Sequence, residues 1–235
     1  MAQHGGGSPP DETEEFMTVV AHDLRNPIAV VRASAQMALR QMSRGNSELA
    51  RTRLTAIVEQ TDRLTEMIES FLDAARLGAG RMPLRPERVN LRELVEVAAE
   101  RARWAGGEPT ERPIDLDVPN DCVGFWDRPR IVRALRALIA NAFLYGDPAG
   151  GVRVRARRDD DRVRIVVTGG GPGPDEEEKQ HLFERFYRGP SAAEAGHAGS
   201  GLGLYLARGI ARVHGGDVRR VDGDIFELEL PVPRP

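Results

Sequence analysis

Three stretches of this 235-residue chain hold residue types that can do chemistry together. The first is AHDLRNP, residues 21–27. Asp23 adjoins His22, and a carboxylate near an imidazole holds its tautomer and raises the basicity of the other ring nitrogen. Asn26 follows four residues after His22, so on a helix it shares that face one turn away. Pro27 cannot supply a helical N–H and clashes with the carbonyl of Asp23, so it bends the helix beside the histidine. A bent helix that presents His22, Asp23 and Asn26 on one side is a nucleophile site. The second stretch is GSGLGLYLARGIARVHGG, residues 199–216, a glycine loop opening a helix. Backbone N–H groups at a helix N-terminus carry partial positive charge and bind phosphate. Gly199, Ser200, Gly201, Leu202 and Gly203 would form that seat. The sixth position of G-x-G-x-x-G is Leu204, so the spacing does not fit a dinucleotide fold, and the chain has no G-x-x-x-x-G-K-[ST]. The third stretch is VVTGGGPGP, residues 166–174: a β-branched run that empties into Gly169, Gly170, Gly171 and Gly173. Such a run marks a turn, or a place where backbone approaches a ligand closely.

The elements that must position these residues fall into two textures. From Asp11 to Leu77 the one glycine is Gly45, and apolar residues recur at steps of three, four or seven. Phe16, Val20, Leu24, Val31 and Ala38 line the first half; Leu54, Ile57, Leu64, Ile68, Phe71 and Ala75 line the second. Gly45 and Asn46 turn the chain between them, and Ser47 can cap the second helix. A helical hairpin with a wide apolar stripe lacks a core of its own, so a four-helix bundle formed by a homodimer is expected. Residues 1–10 read as a tail, 11–78 as the hairpin domain, 79–88 as a linker and 89–235 as a second domain. That second domain mixes short strands at 113–119 and 122–127 with hairpins over 151–168 and 217–232. Helices are expected over 91–104, 129–144 and 202–213. The pattern predicts an α/β sandwich, one sheet covered on one face by helices.

Composition narrows the classes. A net charge of −3 exerts no overall pull toward nucleic acid or anionic lipid. No apolar run approaches the roughly 20 residues of a membrane span, and the N-terminus has no apolar signal core. The lone cysteine, Cys122, rules out an internal disulfide and suits a reducing cytoplasm. Lys179 is the sole lysine among 33 basic residues.

AHDLRNP resembles the phosphoacceptor box of sensor histidine kinases, the first components of two-component systems. RALIANAFLYGDP at 136–148, VTGGGPGP at 167–174, LFERFYRG at 182–189 and GSGLGL at 199–204 resemble, in order, the N, G1, F and G2 boxes of that family's ATP-binding domain, a fold shared with gyrase-type ATPases. The resemblance spans residues 11–235. It implies that Nε2 of His22 takes the γ-phosphoryl group of ATP, that Asp23 accepts the proton of the other ring nitrogen, and that Asn26 positions a water for dephosphorylating a response regulator. It implies further that Asn141 offers an oxygen to Mg²⁺ and that Tyr145 lines the nucleotide side of the same helix. Gly171 and Gly173 let backbone approach the base, and Gly199, Gly201 and Gly203 the phosphates. Phe183 and Phe186 anchor a lid over about 174–198, and Arg188, with Arg185 beside it, contacts the γ-phosphate. The implied partners are a second copy of the chain and a receiver domain. Nothing sensor-like precedes Asp11, so the expectation is a piece of a longer protein or a tail that docks a separate sensor protein.

The pattern breaks at one place that matters. The family's G1 box reads D-x-G-x-G, and its aspartate accepts a hydrogen bond from the adenine amino group; here that position is Gly169. Hydrogen bonds to charged groups contribute roughly 1.5–3 kcal/mol, so the loss weakens adenine binding about ten- to a hundredfold. In the N box, Ala137 replaces an asparagine and Leu144 a lysine. A working kinase with weakened or relaxed base recognition is the expected function. The alternative is a homologue with a defective nucleotide site, or an inactivated variant, serving as phosphatase, phosphotransfer partner or scaffold. Restoring the acid with Gly169→Asp is expected to raise affinity, unless another group already reads the adenine.

Overall fold

The computed structural model describes residues 12–105, 109–190 and 200–232. The chain divides into two compact units between Leu72 and Asp73.

The first unit is the helical hairpin. Helix α1 (Glu12–Ser43) and helix α2 (Ser47–Gly78) are each 32 residues long. Gly45 makes the turn at φ +72°, a conformation that costs glycine little. The cap of α2 is Asn46 rather than the expected Ser47: its Oδ1 accepts from the Leu49 N–H at 3.4 Å, and Ser47 is already helical. Small residues close the inside of the hairpin, with Ser34, Ala38 and Ala50 buried along with Phe71. Much of the apolar stripe stays exposed, including Ile28, Leu39, Leu54, Val58, Ile68 and Leu72.

The second unit begins with the last residues of α2. Asp73, buried, pairs with Arg133, and Leu77 rests on Gly209, where a Cβ would collide with it. The stretch expected to be linker turns into strand β1 (Glu87–Asn90), which pairs antiparallel with β3 (Val123–Trp126). Val89 is buried there, and Asn90 caps helix α3 (Leu91–Ala102) by accepting from the Arg92 N–H. The main sheet contains β2 (Ile114–Asp117), β4 (Val152–Asp159), β5 (Arg162–Thr168), β6 (Asp217–Asp222) and β7 (Ile225–Pro231). Their order is β2-β4-β5-β7-β6, with β2 parallel to β4 and the other pairs antiparallel. Among the described residues the helices of this unit are α3, α4 (Arg128–Tyr145), the short α5 (Glu176–His181) and α6 (Gly203–Val213).

Alternation builds the sheet's two faces. Val152, Val154 and Ala156 of β4, Val163, Ile165 and Val167 of β5, and Phe226, Leu228 and Leu230 of β7 are buried on the face that α4 and α6 cover. The intervening residues carry charge in pairs across the strands: Arg157 with Asp117, Arg162 with Glu229, Arg219 with Glu227. Among the described residues the helices that contact the sheet lie on the face where its apolar residues point, as the strand patterning predicts.

Candidate functional site

The first group of candidate residues lies on α1. His22 is part of that helix, and its side chain lies outside the described residues. Asp23 is half-buried, Asn26 is exposed, and Pro27 sits inside the helix.

The second group gathers where α4 ends. Asp127 caps the start of α4, accepting from the Arg130 N–H at 3.4 Å and from the Arg85 N–H at 3.0 Å. Its own N–H donates to Nε2 of His214 at 3.1 Å, while Nδ1 of His214 lies 2.8 Å from the Ile210 carbonyl. That pair of contacts fixes a neutral imidazole with the proton on Nδ1, and burial lowers its pKa below the ordinary 6.5. Four turns on, Asn141 and Tyr145 fall on one face of α4. Asn141 is half-buried, and its amide bonds to none of the described residues. Burial raises the Tyr145 pKa; the Arg188 charge opposes that rise and the Glu178 charge adds to it. The segment after β5 therefore brings Arg188 and Glu178 to the end of α4. Glu178 is buried and closes a capping box with Asp175, which starts α5.

Arg112, which sequence reasoning did not single out, holds the end of α4. Its guanidinium donates to the carbonyls of Gly150 at 3.0 Å, Phe143 at 2.5 Å and Asp147, and it stacks 5.8 Å from the Phe143 ring. These carbonyls belong to the helix C-terminus and the turn behind it, where a cation is favoured. An arginine before a proline carries no local sign of this role.

The glycine run after β5 packs backbone on backbone. A Cβ on Gly169 would strike the Ala142 carbonyl and lie 2.9 Å from Cα of Gly146. One on Gly171 would strike the Tyr145 carbonyl, and one on Gly173 the carbonyl of Gly223. Gly173 also has φ +72°. These glycines let a loop seat on the end of α4 and on the β6–β7 turn, so the approach they permit is to the protein's own backbone. The Gly169 N–H donates to Oδ2 of Asp224 at 2.5 Å, and Thr168 Oγ1 donates to Oδ1 at 3.0 Å. Asp224 is 8% exposed.

Gly199 lies outside the described residues. From Ser200 the G2 stretch enters α6 through Gly201, at φ +66°, whose Cα side abuts the Phe186 backbone. Phe186 itself has φ +63°, a left-handed conformation rare for a ring-bearing residue. Leu202 is buried and caps α6 without a side-chain hydrogen bond. The first intrahelical bond runs from the Leu206 N–H to the Leu202 carbonyl, so the amides ahead of it are aimed out of the helix, as an anion seat requires. A Cβ on Gly203 would meet only Cβ of Ala137, at 3.7 Å. Phe183 packs edge-on against Phe226, with Arg208 4.7 Å above its ring, so it anchors the core. Arg185 lies between the Phe186 and Tyr205 rings, with its guanidinium beside Gly78.

The donor set suits a magnesium–nucleotide complex better than a protein-caged metal. Among the described residues no three His, Cys, Asp or Glu side chains cluster as ligands. Asn141 carries one neutral amide oxygen, and Mg²⁺ ordinarily takes most of its ligands from phosphates and water.

Comparison with known proteins gives a consistent result. Residues 12–80 match the model of the His Kinase A (phospho-acceptor) domain. Residues 126–234 match that of the histidine kinase-, DNA gyrase B-, and HSP90-like ATPases. The sensor-like histidine kinase SenX3 of Mycobacterium tuberculosis (strain H37Rv) is 30% identical over 222 residues, covering 92% of this chain and 53% of the relative. BaeS of Escherichia coli (strain K12), a signal transduction histidine-protein kinase, is 27% identical over 226 residues, 94% of this chain and 47% of the relative. The chain thus spans about half the length of the curated relatives it matches. Among solved structures, the Acinetobacter baumannii histidine kinase AdeS superposes with TM-score 0.60 at 22% identity over 91% of this chain and 98% of that one, a likeness of fold. Full-length ShkA in complex with AMPPNP superposes with TM-score 0.59 at 25% identity, over 94% of this chain and 45% of that one.

Proposed function

Since the chain belongs to the sensor histidine kinases of two-component signalling, we propose that it binds ATP in its second unit and phosphorylates His22. The observation that carries this reading is the phosphate seat at α6. There Gly201 abuts the Phe186 backbone, a Cβ on Gly203 would meet only Cβ of Ala137 in α4 at 3.7 Å, and the Arg188 charge acts on Tyr145 at the end of α4. Nε2 of His22 attacks the γ-phosphorus, the bond to the bridging oxygen breaks, and ADP leaves. Asp23 takes the proton of the other ring nitrogen, which keeps the phosphorylated imidazole neutral at that atom. Asn141 would hold Mg²⁺, which when bound neutralises phosphate charge in the transition state. Arg188 supplies a fixed cation for the γ-phosphate, and Asn26 orients a water when a receiver aspartyl phosphate is cleaved.

Residues 11–78 are assigned to dimerisation and phosphotransfer, 89–235 to nucleotide binding. The exposed apolar stripe of the hairpin supports a four-helix bundle made by two copies. A receiver domain of a response regulator is the implied acceptor. No described helix is long and apolar enough to cross a membrane.

The test is incubation with γ-labelled ATP and Mg²⁺ beside His22→Ala. Acid-labile label in the parent chain and none in the variant supports the reading. Absence of label together with absence of nucleotide binding by calorimetry refutes it and leaves the scaffold or phosphatase role.

A further inference from the structure

Gly169 lacks the carboxylate that reads adenine elsewhere in the family, yet a buried carboxylate stands beside it. The β5–β7 ladder pairs Val167 with Phe226. Continuing that antiparallel register by two places sets Gly169 opposite Asp224. Directly opposed residues in such a ladder have Cβ positions about 4.5–5.5 Å apart and project to the same face. Here that face is the helix-covered one, because Val167 and Phe226 are both buried on it. The hydrogen bonds agree with the register: the Asp224 carboxylate accepts from the Gly169 N–H at 2.5 Å and from Thr168 Oγ1 at 3.0 Å.

We infer that Asp224 is the specificity-determining acid of this nucleotide site, accepting the adenine amino group in place of the side chain that Gly169 lacks. The inference rests on the reading that this unit binds ATP. Burial of a carboxylate needs compensation. No arginine or lysine among the described residues pairs with Asp224, and two neutral donors hold one lone pair on each of its oxygens. A carboxylate accepts at about four lone-pair sites, so acceptor capacity remains for a ligand donor. The two positions also depend on each other. A side chain at 169 would crowd the Ala142 carbonyl and Cα of Gly146, so the glycine lets its own N–H reach the Asp224 carboxylate. Asp224 follows Gly223, at φ +46° in the short β6–β7 turn, and its carboxylate reaches across to Thr168 and Gly169 at the end of β5.

The experiment compares ATP with purine riboside triphosphate, which lacks the 6-amino group, and with inosine triphosphate. Affinities are measured by calorimetry on the full chain and on Asp224→Ala and Asp224→Asn. Thermal unfolding monitored by circular dichroism confirms that each variant folds; Asp224→Asn, of equal shape, serves if the alanine variant does not. The parent chain is expected to prefer ATP over purine riboside triphosphate about ten- to a hundredfold. Asp224→Ala should bring that ratio near one. In Asp224→Asn the amide oxygen faces the Gly169 N–H, so the amide N–H₂ turns toward the base and the preference for ATP over inosine triphosphate falls. Equal weakening of all three ligands, with the ratio unchanged, reduces Asp224 to a structural residue and overturns the inference. Equal binding of ATP and purine riboside triphosphate by the parent chain overturns it too, with ATP binding left intact. No binding of any triphosphate overturns ATP binding itself, and this assignment with it.

Discussion

Gly169→Ala and Gly169→Asp separate the shape of the nucleotide loop from its charge. The Gly169 backbone lies in an ordinary region of φ, so a side chain there meets steric cost without backbone strain. The added Cβ would strike the Ala142 carbonyl, lie 2.9 Å from Cα of Gly146 and 3.0 Å from the carbonyl carbon of Ala142. All of these are backbone atoms at the end of a helix whose other side is the core. Overpacking of this kind costs roughly 1–3 kcal/mol. For a unit of this size that is a fall in Tm of roughly 3–10 °C. Gly169→Asp adds a second carboxylate opposite the buried Asp224, and like charges directly opposed across a ladder destabilise further. The extra cost should shrink in an Asp224→Asn background, and a double-mutant cycle isolates it. The measurements are thermal unfolding of the four chains and ATP titration of each. Restoring the acid should therefore lower stability and leave ATP affinity unimproved, the outcome the sequence reading assigns to the case in which another group already reads the adenine. A Gly169→Asp chain with parent-like Tm and tenfold tighter ATP would refute the reasoning, because it would show that the loop opens at no cost.

Three further outcomes are expected. Arg112→Ala removes a charged donor shared by the Gly150, Phe143 and Asp147 carbonyls, and denaturant unfolding should show a loss of roughly 2–3 kcal/mol. His214 is held neutral with its pKa lowered by burial, so the unfolded chain binds the proton first. Stability from this group is whole above about pH 6.5 and declines as pH falls below that value; a pH series of unfolding free energies should show the decline, and His214→Gln should flatten it. The exposed apolar stripe of the hairpin should make the protein a dimer by light scattering, and Leu54→Glu with Val58→Glu should shift it toward monomer.

Much of the architecture is legible because it rests on local signals. The helical hairpin follows from a glycine-poor periodic stretch, and β4 and β5 from the alternation of apolar residues with arginine along most of their length. The glycine pattern at 199–203 that opens α6 is local too, although Gly199 lies outside the described residues. What escaped is non-local. Asp224 sits in an Asp-Gly-Asp turn that reads as a hairpin corner, and its meaning depends on which strand pairs with β5 and in what register. Arg112 caps a helix that starts sixteen residues later in the chain, so its partners appear only once the fold closes. Strand β1 hides in a proline- and arginine-rich stretch whose extended form is set by pairing with β3. The glycines of VTGGGPGP mark close backbone approach in the sequence, and that they seat the loop on the end of α4 and on the β6–β7 turn emerges only from the fold.

The packing of Asp73 and Leu77 decides where this gene can be cut. A fragment opened at the break after Gly78 would keep the whole sheet and its covering helices, yet it would strip Arg133 of a buried carboxylate and bare Gly209 to water. The smallest piece with an intact surface starts at or before Asp73, six residues inside what looks like the neighbouring domain. A chimera that grafts a foreign hairpin onto this unit should accordingly be spliced within the helix, ahead of Asp73, in helical phase with it. The glycine-rich break is the wrong seam.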